Sequence, residues 1–226
     1  MTSYIRLMQR QLHREFVFNC REPRQVIYSC LFFLMVLVFF PLTISTEQTT
    51  LHMLAPGLIW IATLFSFFLS SEQLFLVDYQ EGVIEQWLAS GHPLALLVTA
   101  KISMHWCLTL LPILIICPLL CLLLGLNFHE LIVLMLGLLC GSPAIMFLCG
   151  LAAAFGTGTR QKGVLMALIV FPLTIPVLIF GSQMLIAAMH DEPIQGYLAL
   201  LLAFSVIAVG LLPMAVGAVV AVCLSE

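Results

Sequence analysis

Apolar residues fill this chain in six long blocks, and the charges fall between them. Uncharged stretches run over 25–46, 48–71, 102–129, 131–159, 163–190 and 193–225. About 20 apolar residues of helix cross about 30 Å of hydrocarbon, so each stretch has room for one span. An ionised side chain at the bilayer centre costs about 2.5–3.5 kcal/mol on insertion scales, so blocks kept free of charge predict six transmembrane helices.

Two segments depart from this pattern. In the opening segment, 1–24, Ile5, Met8, Leu12 and Phe16 recur every three or four positions while Arg6, Arg10 and Arg14 repeat every four. That predicts a basic amphipathic helix lying in the membrane interface, with Pro23 as the turn into the first span. It serves either as a topology anchor or also as an elbow against a partner subunit. The second segment, 72–101, reads EQLFLVDYQEGVIEQWLASGHPLALLVTAK between spans two and three. Leu74, Val77, Ile84 and Leu88 approximate an apolar stripe with Trp87 beside it, and the spacing of Asp78, Glu81 and Glu85 predicts one acidic face. A single helix over 78–89 is expected, stopping near Ser90 and Gly91 ahead of Pro93.

Proline interrupts several spans: Pro112 and Pro118 in the third, Pro143 in the fourth, Pro172 and Pro176 in the fifth, Pro213 in the sixth. Each removes a backbone hydrogen bond and is expected to kink or break its helix, which a membrane tolerates where neighbours or a cavity satisfy the freed carbonyls. Pro172 and Pro176 are the densest pair and the expected conformational kink. The uncharged run after Lys162 exceeds one perpendicular crossing, so its last part, 181–188, is expected either to tilt or to form a short half-helix. Small residues in LCGSPAIMFLCGLAAAFGTG permit close helix packing, and no repeat or linker divides the chain, which is expected to be one membrane domain over 1–226.

Composition and charge then fix orientation. Hydrophobic residues make up 62% of the 226 and charged ones 8%, which excludes a soluble domain. All eight basic residues fall on one side if six spans alternate: Arg6, Arg10, Arg14, Arg21 and Arg24, then Lys101, then Arg160 and Lys162. The loops around Glu47, Asn127 to Glu130 and His190 to Gly196 contain none. By the positive-inside rule both termini are cytoplasmic, and 72–101 is a cytoplasmic loop. The first apolar run is too long for a signal peptide core, so an uncleaved anchor is expected. The net charge of −3 points to no nucleic acid partner. Of eight cysteines all but Cys20 lie in or beside apolar runs, where they read as small packing residues.

Candidate chemistry is sparse. The carboxylates of 72–101 have no metal-ligating histidine or nucleophile beside them, so they do not read as an active site. A P-loop needs GxxxxGK followed by Ser or Thr, and the nearest stretch, GTGTRQKG at 156–163, has the wrong order; any ATPase must be another chain. Gly141 and Ser142 resemble an intramembrane serine protease motif, but Pro143 follows them and no histidine in the last span would activate the serine. The six histidines form no CxxCH or HExxH motif; His105, His129 and His190 are the accessible candidates for a cofactor. Cys117 and Cys121, a turn apart, have no further ligands around them.

The elements APGLIW (55–60), LFLVDYQEGVIEQWLASGHPLALLVTAKISMHW (74–106), KGVLMALIVFPLTIPVLIF (162–180) and GYLALLLA (196–203) resemble the CcmB family. Its members are membrane subunits of the heme-exporter-type ABC complex of bacterial cytochrome c maturation. The resemblance implies an all-α, ABC-2-type permease fold in the bacterial inner membrane, with 72–101 as a coupling loop. It implies a cytoplasmic CcmA-like ATPase dimer that binds the ATP, a heme-handling CcmC-like membrane protein and a small CcmD-like one. It also implies release of a heme-loaded, CcmE-like periplasmic chaperone. Heme is then either exported through the complex or carried off by the released chaperone, no cofactor, catalysis or metal is assigned to this chain, and Asp78, Glu81, Gly82, Glu85, Gln86 and Trp87 are the expected ATPase-coupling residues. The rivals are an ABC-2 permease for another amphipathic substrate, such as a lipid or glycan, and a stand-alone intramembrane enzyme or ion-coupled carrier. The absence of ionisable residues mid-span weighs against the last.

Overall fold

The structure, a computed structural model, describes residues 2–21, 23–43, 48–157 and 162–223. The expectations placed on Glu47 and Arg160 fall outside them. Among the described residues all regular structure is helical: α1 (Thr2–Arg21), α2 (Arg24–Thr43), α3 (Gln48–Ser71), α4 (Leu76–Gln80), α5 (Val83–Ala89), α6 (Leu94–Leu124), α7 (Phe128–Gly156), α8 (Lys162–Met189) and α9 (Gln195–Cys223). Six of these, α2, α3, α6, α7, α8 and α9, are long and apolar enough to cross a membrane, as the charge-free blocks predict. The protein is an all-α, six-span membrane protein.

The spans do not share burial equally. α7 packs against α8, α9, α6 and α3, and with α3 it forms the centre of the bundle. α2 is peripheral: Ile27, Leu31, Met35 and Phe39 leave it on its outer side, where lipid is the natural solvent. α1 lies apart from the spans except for its packing on α6, and Pro23 separates it from α2, the Pro23 carbonyl accepting the amide of Ile27 at 2.9 Å.

None of the expected breaks at proline occurs. Pro112, Pro118, Pro143, Pro172, Pro176 and Pro213 all sit inside continuous helices, as do Pro41 and Pro56. The 28 residues of α8 run unbroken to Met189, about 42 Å of helix. No half-helix is set off over 181–188; the excess length stays within the one helix. Between its two prolines the Thr174 hydroxyl donates to the carbonyls of Val170, at 2.8 Å, and Phe171, at 3.2 Å.

Lipid tails are as apolar as leucine, so helices in a bilayer are held by close packing more than by transfer out of water. The clearest case surrounds Trp60 of α3, whose indole is 1% exposed. A Cβ at Gly181 of α8 would stand 2.2 Å from this ring, one at Gly141 of α7 would stand 2.8 Å away, and one at Gly137 of α7 3.5 Å. The indole thus occupies the space of two absent side chains, at Gly181 and Gly141, would meet a Cβ at Gly137 at ordinary contact distance, and locks α3, α7 and α8 together. Nearby, Trp106 of α6 donates its indole N–H to the Ser142 hydroxyl at 2.8 Å, so the serine of the Gly-Ser pair is engaged in helix packing.

At the end away from α1, Gly125 adopts φ +71° in the turn between α6 and α7, a region open to glycine at little cost. Asn127 then caps α7, with Glu130 accepting its backbone N–H at 2.9 Å. The same Glu130 carboxylate lies 2.9 Å from His52 Nε2 of α3, which ties the two central spans together at that end.

Candidate functional site

The segment after α3 is shaped by one glycine. Val77 and Tyr79 carbonyls accept the amides of Glu81 and Gly82, ending α4, and Gly82 takes φ +71°, from which Val83 starts α5 in a new direction. The expected single helix over 78–89 is therefore two short ones hinged at Gly82. The apolar stripe and the acidic spacing both run through Gly82, where the helix turns a corner. The end of α5 is as expected: the Ser90 hydroxyl donates to the Trp87 carbonyl at 2.7 Å, Gly91 takes φ +67°, and α6 begins after Pro93.

The corner splits the acidic residues. Glu81, Glu85 and Gln86 are exposed, whereas Asp78 is buried, so these carboxylates do not form one face. Asp78 instead meets two cations. Its Oδ1 accepts from Arg14 of α1 at 3.3 Å, and its Oδ2 lies 2.7 Å from the Lys101 ammonium of α6. The approach to Oδ2 is off the hydrogen-bond direction, so that contact is one of charge and not of an aligned hydrogen bond. Lys101 donates to Glu15 of α1 at 3.0 Å, and Gln11 donates to the other Glu15 oxygen at 2.7 Å. Arg14 also stands 3.9 Å from Glu15 and lays its guanidinium 5.9 Å from the ring centre of Trp87.

Two carboxylates and two cations thus cancel in a site where Glu15, Asp78 and Lys101 are each at most 5% exposed. Isolated, each would carry a desolvation cost of several kcal/mol, so the cluster is stable only when complete. It joins three elements distant in sequence, the interfacial helix, the loop and the third span.

Lys101 is the residue whose role the sequence pattern concealed. Flanking a charge-free block, it reads as a loop residue marking topology, yet α6 starts at Leu94, which places Lys101 two turns inside the helix and buried. Glu15 carried the one available signal, an acid among the arginines of an amphipathic helix. One turn further along α6, His105 is buried with Nε2 2.5 Å from the Ser70 hydroxyl and 2.9 Å from the Ser70 carbonyl. Ser70 in turn lies 2.9 Å from the Thr109 hydroxyl. His105 is therefore a packing histidine joining α3 to α6, and ionisable groups enter the third span further than the charge-free blocks imply.

The remaining candidates lie apart from the cluster. His129 and His190 are exposed at the opposite end of the bundle, the two histidines of the three that are open to a ligand. Pro172 and Pro176 lie inside α8. Among the described residues no three histidine, cysteine or acidic side chains are placed to hold a metal ion.

A family model described as CcmB protein matches residues 5–223. The protein named heme exporter protein B in Pseudomonas aeruginosa is 40% identical over 215 residues, 95% of this chain and 96% of that protein. The protein of the same name in Haemophilus influenzae is 39% identical over 215 residues, covering 95% and 97% of the two chains. That of Escherichia coli K12 is 39% identical over 181 residues, covering 80% and 82%.

Proposed function

The chain belongs to the CcmB family, and from that footing we propose that it is the permease subunit of an ABC complex serving bacterial cytochrome c maturation. ATP hydrolysis in a separate ATPase chain is coupled through it to heme export or to release of a heme-loaded periplasmic chaperone. The names of its relatives support heme as the substrate. The charge cluster supports the coupling: Glu15, Lys101 and Asp78 clamp the loop to a span and to the interfacial helix while Glu81, Glu85 and Gln86 stay exposed.

In this mechanism a CcmA-like ATPase dimer sits under the loop and closes on ATP. Force applied at Glu81, Glu85 and Gln86 moves α5, and two inward contacts pass it on. Trp87 presses on Arg14 of α1, and Asp78 presses on Lys101 of α6. The paired charges make the loop, α1 and the foot of α6 move as one piece, since separating them would leave a buried charge unpaired. Rearrangement then reaches the proline-bearing spans α6 and α8. No covalent step occurs in this chain. A CcmC-like membrane protein handles the heme, with a CcmD-like small protein and a CcmE-like chaperone as further partners. The basic end of the bundle, with both termini, faces the cytoplasm of a bacterial inner membrane.

The test is the double variant Glu81→Lys/Glu85→Lys, co-expressed with the ATPase and the heme-handling partners. The expected result is a correctly inserted permease whose co-purifying ATPase falls about tenfold, with chaperone release uncoupled from hydrolysis. Unchanged association together with unchanged coupling overturns the assigned surface. A lipid-stimulated ATPase with no heme chaperone in the complex would assign the substrate to lipid.

A further inference from the structure

Where α1 turns into α2, a mixed polar cavity and an apolar groove meet at one residue, Asn19. The first, about 140 Å³, is half polar and half apolar: Asn19, Arg24, Gln25, Gln73 and the paired Glu15 and Lys101 line it beside the apolar Phe18, Leu74 and Val77. The second, about 420 Å³, is a groove between α2 and α6 lined by Pro23, Val26, Leu108, Leu111, Ile115 and Ile116, with Asn19 at its mouth. Apart from Asn19, every one of those side chains is apolar.

We infer that the two cavities form one amphipathic site that takes a glycerophospholipid from the adjoining leaflet, with its phosphate on Arg24 and one acyl chain along the groove. The charge pattern favours this occupant. Lys101 is saturated by Glu15 and Asp78, whereas Arg24 is exposed and makes no ion pair among the described residues. An anionic group therefore has one cation to meet, at the first residue of the span. The carbonyl ends of Asn19 and Gln25 are the acceptors beside it for an ammonium or hydroxyl of the headgroup, while their amide ends are engaged with Glu15 and Gln73.

The dimensions agree. From Leu108 to Ile116 the groove follows α6 for about 12 Å, against about 15 Å for half of the hydrocarbon core. A soluble phosphate would satisfy Arg24 but leave the groove unexplained, and a free fatty chain would leave Arg24 unmet. The elbow joins the interfacial helix to the first span, so a lipid seated there contacts the same α1 that supplies Glu15 to Lys101.

The test is native mass spectrometry of the full chain in mild detergent, titrated with palmitoyl-oleoyl phosphatidylglycerol. One lipid should be retained per chain. Arg24→Glu should weaken it about tenfold or more, because the substitution replaces the cation that meets the phosphate with a like charge. Ile115→Trp should reduce retention comparably by filling the groove; Ile115 is 76% exposed, so the added ring disturbs no core. Leu122→Trp, 81% exposed on the same helix but outside the groove, should retain the lipid. Loss with only one of the two site variants, loss with Leu122→Trp as well, or displacement by inorganic phosphate in excess overturns the proposal.

Discussion

Lys101 and Asp78 meet 2.7 Å apart where neither side chain is more than 6% exposed. One belongs to a membrane span and the other to the loop before it, and Glu15 closes the cluster from the far side of Lys101.

Lys101→Met should leave two carboxylates facing each other without their shared cation. Breaking a buried pair costs about 3–5 kcal/mol, so the single variant should lose that much stability against unfolding of the solubilised chain. Lys101→Met combined with Asp78→Asn should recover part of the loss, because the uncompensated charge is removed with its partner. Equal destabilisation by the single and double variants would show that the pairing is not what holds the loop.

Gly82→Ala should cost about 1–2 kcal/mol through its backbone, since φ +71° brings an L side chain against its own carbonyl. The environment adds little, because the nearest atom to the new Cβ would be Glu85 Oε2 at 3.9 Å. Gly82→Asn, which tolerates the left-handed region better, should be milder in the same thermal measurement. Coupled ATPase activity should follow the same order, because fusing α4 with α5 redirects Glu85 and Gln86. Equal activity in both variants would remove the corner from the coupling mechanism.

Gly181→Ala should be among the most damaging single methyl additions in the bundle, because the Cβ would overlap the Trp60 ring at 2.2 Å. Overpacking costs about 1–3 kcal/mol, occasionally more. Trp60→Phe should relieve it in the double variant by withdrawing the atoms that clash. Gly57→Ala is the control: nothing lies within 4 Å of its Cβ, and alanine favours helix by about 1 kcal/mol over glycine. Detergent-stability curves for the four proteins decide it, and a Gly181→Ala chain as stable as Gly57→Ala would contradict the packing described.

Much of this fold was legible along the chain because a bilayer imposes a crude, one-dimensional rule. Each span must be apolar for its whole length, so charge-free blocks count the helices, and Pro23, Ser90 and Gly91 punctuate them where local backbone chemistry requires. Of the kink or break expected at each proline, the continuous helices exclude the break, for a related reason. A single missing hydrogen bond inside a helix is a local cost, and whether it breaks the rod depends on neighbours that no local pattern reveals. Gly82 misled in the opposite sense, since a lone glycine within a helical spacing is tolerated as often as it turns the chain.

By itself, then, the sequence determined six spans, an amphipathic lead-in and a charged loop between the second and third, all consequences of where hydrocarbon excludes charge. Only the tertiary structure decided that Asp78 turns inward while Glu81 and Glu85 stay outside, that Lys101 is a buried clamp and not a topology marker, and that Trp60 fills the space left by Gly141 and Gly181. Each depends on partners far apart along the chain, 64 positions for Arg14 and Asp78 and 86 for Glu15 and Lys101, or on a backbone corner, and a charge buried against its opposite looks along the chain like any charge at the edge of a loop.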